Sequence, residues 1–185
     1  CGDLRRWIDG GLTSPGFFVS VNLAPLQLVR PSLVDEVATL LATHVIDPDR
    51  LILEVTEGDM MADTGASIVN LERLRALGVR IAVDDFGTGY SSLSYLQRFP
   101  IDILKIDKYF VDGIDAGPEQ SALPHAIIRL AQALHLTPIA EGVERESQKA
   151  RLHALGCDLA QGYHFAAALP GDRITRLLGM PSVLS

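Results

Sequence analysis

Leu74-Arg-Ala-Leu-Gly-Val-Arg-Ile81 and Leu152-His-Ala-Leu-Gly-Cys-Asp-Leu159 read almost alike although they lie in distant parts of the chain. In each, an apolar helical ending meets a glycine and then a short run suited to a strand. Gly78 and Gly156 fit the left-handed residue that closes a helix, so each marks a helix-to-strand junction of a repeated βα unit. Working outward, strands are predicted at Phe17 to Asn22, Leu51 to Glu57, Arg80 to Asp85, Ile103 to Asp107, Thr137 to Glu141 and Leu159 to Tyr163. Between them, apolar residues three and four apart predict helices: Leu33, Val37, Leu40 and Leu41, then Ile68, Leu71, Leu74 and Leu77, then Ile127, Ala131 and Leu134. Pro31 fits a first helical turn, where a missing N–H costs nothing.

Alternating strands and helices imply a parallel sheet covered by helices, and no linker or low-complexity stretch interrupts residues 1–185, which read as one domain. Two architectures compete, an open doubly wound sheet and a (β/α)8 barrel. Asn22, Glu54 with Glu57, Asp84 with Asp85, Lys105 with Asp107, Glu141, and Gln161 each fall at or near the C-terminal end of a different predicted strand. An open sheet spreads such ends along a line, with a crevice only at its switch point. A barrel gathers them around one mouth, so the barrel is expected. A full barrel needs about 250 residues and eight strands. The chain is therefore expected to be N-terminally incomplete by one or two strands, and Cys1 reads as the start of a piece of a longer polypeptide.

Composition narrows the partners. The chain is 48% hydrophobic and 21% charged, with a formal charge of −7. That balance argues against duplex nucleic acid, whose binding rests on cationic contacts. An anionic small molecule remains possible if a metal ion offsets the repulsion. No apolar run approaches the length of a membrane span. Cys1 and Cys157 form no spaced pattern, so neither a disulfide framework nor a zinc knuckle is expected, and a reducing cytoplasmic setting follows.

Glu54, Asp84, Asp85 and Glu141, with the amide of Asn22, form an all-oxygen set suited to Mg²⁺ or Mn²⁺ rather than Zn²⁺. His44, His125, His135 and His153 fall on predicted helices, and no two-histidine ligand pair is visible. Adjacent Asp84 and Asp85 point to opposite faces of a regular strand. Both reach one metal only if the strand ends there and the backbone turns, a turn that Gly87 and Gly89 could supply. One carboxylate could then bridge two ions. The plainer alternative is a set of solvated acids. Lys105 sits inside an otherwise apolar strand and needs a partner. It could act as an ammonium that orients a water. It could serve as a neutral Schiff-base amine in a barrel lyase or aldolase, or as a structural ion pair with Asp107 or Asp84. Ser91 or Ser92 could cap a following helix.

Val21-Asn-Leu23, Glu54-Val-Thr-Glu57, Asp84-Asp-Phe-Gly-Thr-Gly-Tyr-Ser-Ser92, Leu104-Lys-Ile-Asp107, Glu141-Gly-Val-Glu144 and Gln161-Gly-Tyr163 together resemble the EAL family of cyclic di-GMP phosphodiesterases. The resemblance implies a modified (β/α)8 barrel that hydrolyses cyclic di-GMP to linear 5′-pGpG with two Mg²⁺ or Mn²⁺ ions. It implies metal ligation by Asn22, Glu54, Asp84, Asp85 and Glu141, with Asp84 as the bridge. Lys105 would orient the attacking water, Asp107 and Gln161 would line the site, and Glu57 would anchor the loop beginning at Asp85. Glu144 is held to a supporting role. A homodimer, an upstream sensory or diguanylate cyclase domain and a cytoplasmic location, free or as part of a membrane-bound protein, are also implied. The sequence contains no Glu-Ala-Leu tripeptide, and Ala24 stands where the family commonly has Ser. The alternative is a catalytically inactive receptor module that binds cyclic di-GMP.

Overall fold

The structure is a computed structural model, and it describes residues 1–62, 65–87, 96 and 98–179. Among these residues six strands form one sheet: β1 (Val19–Asn22), β2 (Leu51–Thr56), β3 (Arg80–Phe86), β4 (Ile103–Ile106), β5 (Thr137–Ala140) and β6 (Leu159–Ala160). All adjacent pairs are parallel, and their spatial order is their sequence order. A doubly wound sheet reverses its strand order at a switch point. None occurs here, which decides between the two expected architectures.

The helices are α1 (Gly2–Asp9), α2 (Pro25–Leu28), α3 (Leu33–His44), α4 (Glu57–Ala62), α5 (Gly65–Ala76), α6 (Lys108–Val111), α7 (Pro118–Ala133), α8 (Glu146–Ala154) and α9 (Gly171–Leu178). Both look-alike junctions close in the same way. Gly78 and Gly156 have φ of 96° and 82°. The amides that follow return to the carbonyls of Leu74 and Leu152, at 3.3 and 3.0 Å. Pro31 lies before the first turn of α3, whose N-cap is Ser32, rather than within it. His135 lies beyond the end of α7 with a φ of 58°, not on a helix. The sixth strand stops at Ala160, short of the expected Tyr163, because the chain turns at Gly162. A Cβ on Gly162 would come within 2.2 Å of the Val143 carbonyl oxygen.

The sheet is curled. α1 precedes one edge strand and α9 follows the other, yet Trp7 Nε1 donates to Thr175 Oγ1 at 2.8 Å. Ile174 and Leu178 pack on the core that holds Leu4 and Trp7. Six strands laid flat at about 4.8 Å spacing would set the outer two about 24 Å apart. Helices tied to opposite edges meet because the sheet bends toward a barrel. Among the described residues, no helix is long and apolar enough to cross a membrane.

Period-two alternation divides the sheet into two faces. Leu53, Val55, Ile81, Val83, Leu104, Ile106 and Ala140 face the helices in the main core. Ile52, Ala82, Ile103 and Ile139, with Phe18 and Leu159, form a separate apolar layer on the inner face. Two residues further along each strand, toward its C-terminal end, the same face carries Ser20, Glu54, Asp84, Lys105, Glu141 and Gln161. The apolar layer thus forms the floor of a polar one.

Candidate metal-binding active site

Lys105 is the hub of this polar layer. It is 3% exposed, and its Nζ lies 2.6 Å from Glu141 Oε1, 2.8 Å from Glu54 Oε2 and 2.9 Å from Asp84 Oδ1. These carboxylates come from β2, from β3 and from the residue following β5, and although Glu54 is in register with Ala82 and Lys105 with Ile139, their side chains converge on one ammonium. Of the structural pairings weighed from sequence, the one with Asp84 forms. Among the described residues, Asp107 is not an ion-pair partner of Lys105. Burial alone pulls the ammonium pKa down, but hydrogen bonds to Glu141, Glu54 and Asp84 outweigh it and leave the group above the ordinary lysine value. A firmly charged Lys105 is a poor Schiff-base nucleophile, which weighs against the lyase or aldolase reading.

Asp84 and Asp85 both reach the site, but by a different device from the one expected. The strand does not end at Asp85. It runs on to Phe86 through a bulge, since Val83 pairs with Leu104 and Phe86 with Ile106, three steps on β3 against two on β4. An extra residue re-aims the strand locally. Asp85 takes it up with a φ of 55°, a left-handed conformation that Asp tolerates better than most residues. Gly87 follows with a φ of 95°, and a Cβ there would come within 2.8 Å of the Phe110 ring. Its amide donates to Glu57 Oε2 at 2.9 Å. Glu57, 8% exposed, therefore holds the start of the loop after β3. Gly89, Ser91 and Ser92 lie outside the described residues.

Carboxylate oxygens of Asp84, Asp85 and Glu141 lie within 4.8 Å of one another. Asp107 caps α6 by accepting the Tyr109 amide at 2.8 Å, and its carboxyl also lies against that of Asp85. Gln161 Nε2 donates to Glu141 Oε1 at 2.6 Å. Asn22 is the register partner of Glu54 and is exposed at the mouth. The expected residues thus share one end of one face, with Glu57 set behind the loop it anchors. Sequence reading passed over Gln148, which is fully buried beside the Glu141 loop. Its signal is a Gln at the third position of α8, where a side chain can reach back to the amides before the helix. A cleft of about 740 Å³ between α7 and α8 contains none of these groups.

Among the described residues, Glu54, Asp84, Asp85 and Glu141 gather around one ammonium, with Asp107 against Asp85, so the pocket carries excess negative charge. Burial raises the Asp85 carboxyl above its ordinary value, and the charges of Asp84 and Asp107 raise it further. Burial likewise raises Glu141, with Lys105 opposing and Asp84 and Glu54 reinforcing the shift. Hard, all-oxygen donors with unrelieved charge fit divalent cations such as Mg²⁺ or Mn²⁺.

A pH dependence follows. Because the folded pKa values of Asp85 and Glu141 lie above the unfolded ones, the metal-free folded state takes up protons before the unfolded chain does. These two groups therefore cost stability once ionised, and the cost is relieved as pH falls through the raised values toward 3.8 and 4.5. A divalent cation relieves the same cost. Saturating Mn²⁺ is expected to raise the thermal midpoint more at about pH 7 than at about pH 5. Equal rises at both pH values would contradict the assigned charge excess.

The EAL domain family model matches residues 1–168. A bifunctional diguanylate cyclase/cyclic di-GMP phosphodiesterase, MucR of Pseudomonas aeruginosa, is 44% identical over 174 residues, covering 94% of this chain and 25% of that protein. This chain thus spans about a quarter of that relative's length. Among solved structures, a MucR phosphodiesterase–cyclic di-GMP complex superposes with a TM-score of 0.84 at 44% identity, covering 93% of this chain and 69% of that one. The EAL domain of Mycobacterium smegmatis DcpA gives 0.90 at 35%, covering 96% and 79%. A manganese/cyclic di-GMP complex of Klebsiella pneumoniae BlrP1 gives 0.76 at 30%, covering 89% and 45%.

Proposed function

The chain belongs to the EAL domain family, and on that premise we propose that its protein hydrolyses a phosphodiester bond of cyclic di-GMP, giving linear 5′-pGpG, with divalent metal ions. The observation that carries the reading is the convergence of Glu54, Asp84 and Glu141 on Lys105 Nζ at 2.6–2.9 Å, with Asp85 alongside. Asn22, Glu54, Asp84, Asp85 and Glu141 would hold two ions, Mg²⁺ or Mn²⁺. When bound, such ions offset the phosphate charge and supply Lewis-acid activation for an in-line displacement.

The chain's own groups do the positioning. Lys105 holds three carboxylates around its ammonium, which orients the attacking water. Gln161 fixes the direction of the Glu141 carboxylate and faces the substrate. Asp107 closes the far side of Asp85. Glu57 keeps the loop after β3 in place through the Gly87 amide. The apolar floor beneath them lowers the local dielectric and strengthens these contacts. The proposal extends to an upstream sensory or diguanylate cyclase domain, a homodimer and a cytoplasmic setting. The compound name of the MucR relative supports the first of these.

The deciding experiment incubates the full-length protein with cyclic di-GMP and Mg²⁺ or Mn²⁺, then separates products by chromatography. Linear dinucleotide is expected with metal and none with chelator. A folded protein that binds cyclic di-GMP without cutting it would establish the receptor reading instead.

A further inference from the structure

Gln148 lies outside the acid cluster and has no exposed surface at all. A buried amide is retained without penalty only when its donors and acceptor are satisfied. Its Oε1 accepts the Glu144 amide at 2.8 Å and the Arg145 amide at 2.9 Å, and its Nε2 donates to the Val111 carbonyl at 3.3 Å. Those contacts join two segments that leave the sheet from neighbouring strands. One runs from Lys105 through the Asp107 cap to the end of α6. The other runs from Glu141 into α8. At their strand ends the same segments meet again, in the 2.6 Å contact between Lys105 Nζ and Glu141 Oε1.

The path between clamp and carboxylate is short and stiff. Gly142 turns the chain with a φ of 67°, and a Cβ there would come within 2.5 Å of the Lys108 side chain. The Val143 amide donates to the Gln161 carbonyl, and the Val143 carbonyl accepts the His164 amide. Glu144 and Arg145 also form ion pairs with Lys108 and Asp115, but those pairs reach solvent. Exposed pairs fix geometry weakly. Among the described residues, Gln148 is the one fully buried polar side chain of those tying the two segments.

We infer that Gln148 is a positioning residue for Glu141, locking the β5–α8 loop onto the end of α6 and so setting the Glu141 carboxylate against the Lys105 ammonium. This inference rests on the phosphodiesterase reading for its activity readout. Its geometric content does not depend on it.

The test uses the full chain in three forms: unsubstituted, Gln148→Met and Gln148→Glu. Methionine fills the space with no hydrogen bonds. Glutamate keeps the acceptor for the two amides and loses the donor to Val111. Amide hydrogen exchange is expected to lose protection at Glu144 and Arg145 in Gln148→Met, with Ile139 and Ala140 on β5 still protected. Gln148→Glu should retain protection at both. In turnover, Gln148→Met is expected to lower kcat about 10- to 100-fold, the range found for groups that orient ligands from behind. KM should stay within about threefold, since substrate contacts are untouched. Gln148→Glu should recover a substantial part of kcat. Unchanged exchange at Glu144 and Arg145 would overturn the clamp whether or not the protein turns over cyclic di-GMP. Lost protection with unaltered kcat would overturn the positioning role. An unsubstituted protein without turnover, but with the expected exchange pattern, would refute the phosphodiesterase reading and leave the clamp standing.

Discussion

Replacing Lys105 by Met is expected to abolish turnover and to destabilise the metal-free protein by about 3–5 kcal/mol near neutral pH, the usual cost of stripping one partner from a buried ion pair. A domain of ordinary stability has about 5–15 kcal/mol in all, so the loss is a large fraction. Lys105 and Glu54 are 3% and 7% exposed, and the ammonium serves three carboxylates at 2.6–2.9 Å. Methionine matches the length of the lysine stem, so little packing is lost and the cost is electrostatic. Glu54, Asp84 and Glu141 would then face one another unshielded. The deficit should shrink in acid, where protonation removes the repulsion, and shrink again with Mn²⁺. Chemical denaturation of both proteins, with and without Mn²⁺, reads all three effects. A Lys105→Met protein as stable as the unsubstituted one in chelator would show that Lys105 does not hold the pocket together.

Asp84→Asn separates catalysis from stability in the opposite sense. Asp84 raises the carboxyl pKa of both Asp85 and Glu141 by its charge, so neutralising it relieves the metal-free pocket. Asparagine still offers Lys105 an oxygen, and two carboxylates remain to satisfy the ammonium. The metal-free thermal midpoint is therefore expected to hold or rise. Turnover should fall about a thousandfold, equivalent to about 4 kcal/mol, because one of the anionic ligands proposed for the metal ions is gone. The stabilisation by Mn²⁺ should shrink with it. A variant with near-normal turnover would remove Asp84 from the ligand set. A midpoint that collapses as far as in Lys105→Met would mean its charge is structural.

The two substitutions sort the charges by what each does without metal. Lys105 makes the acid cluster tolerable in the folded chain. Asp84 makes it less tolerable, and an arrangement that keeps such a cost is expected where charge is needed for binding. The same contrast distinguishes a metal site from a set of solvated acids, for which neither variant would move stability much.

Much of this was legible in the sequence. The βα repeat followed from the two glycine-closed junctions, and the six strand starts and ends were located to within a few residues. The identity of the inward-facing groups followed as well. A side chain two residues beyond a buried Ile or Ala faces the same way, and Glu54, Asp84, Lys105 and Glu141 obey that rule. Such periodicities are local, set by backbone sterics within a few residues, and so survive in a linear text. What the tertiary structure alone decided was distance. Three carboxylates meet one ammonium because sheet curl brings the staggered ends of β2, β3 and β4, together with the end of β5, within reach of one another. Asp85 joins them through a bulge that nothing in Val83-Asp-Asp-Phe86 announces, since a bulge depends on what the neighbouring strand offers opposite it. Gln148 looks like any polar residue in the first turn of a helix until packing buries it against α6. Contacts between segments far apart in the chain arise from the balance of packing over the whole domain, and no short stretch of sequence encodes that balance by itself.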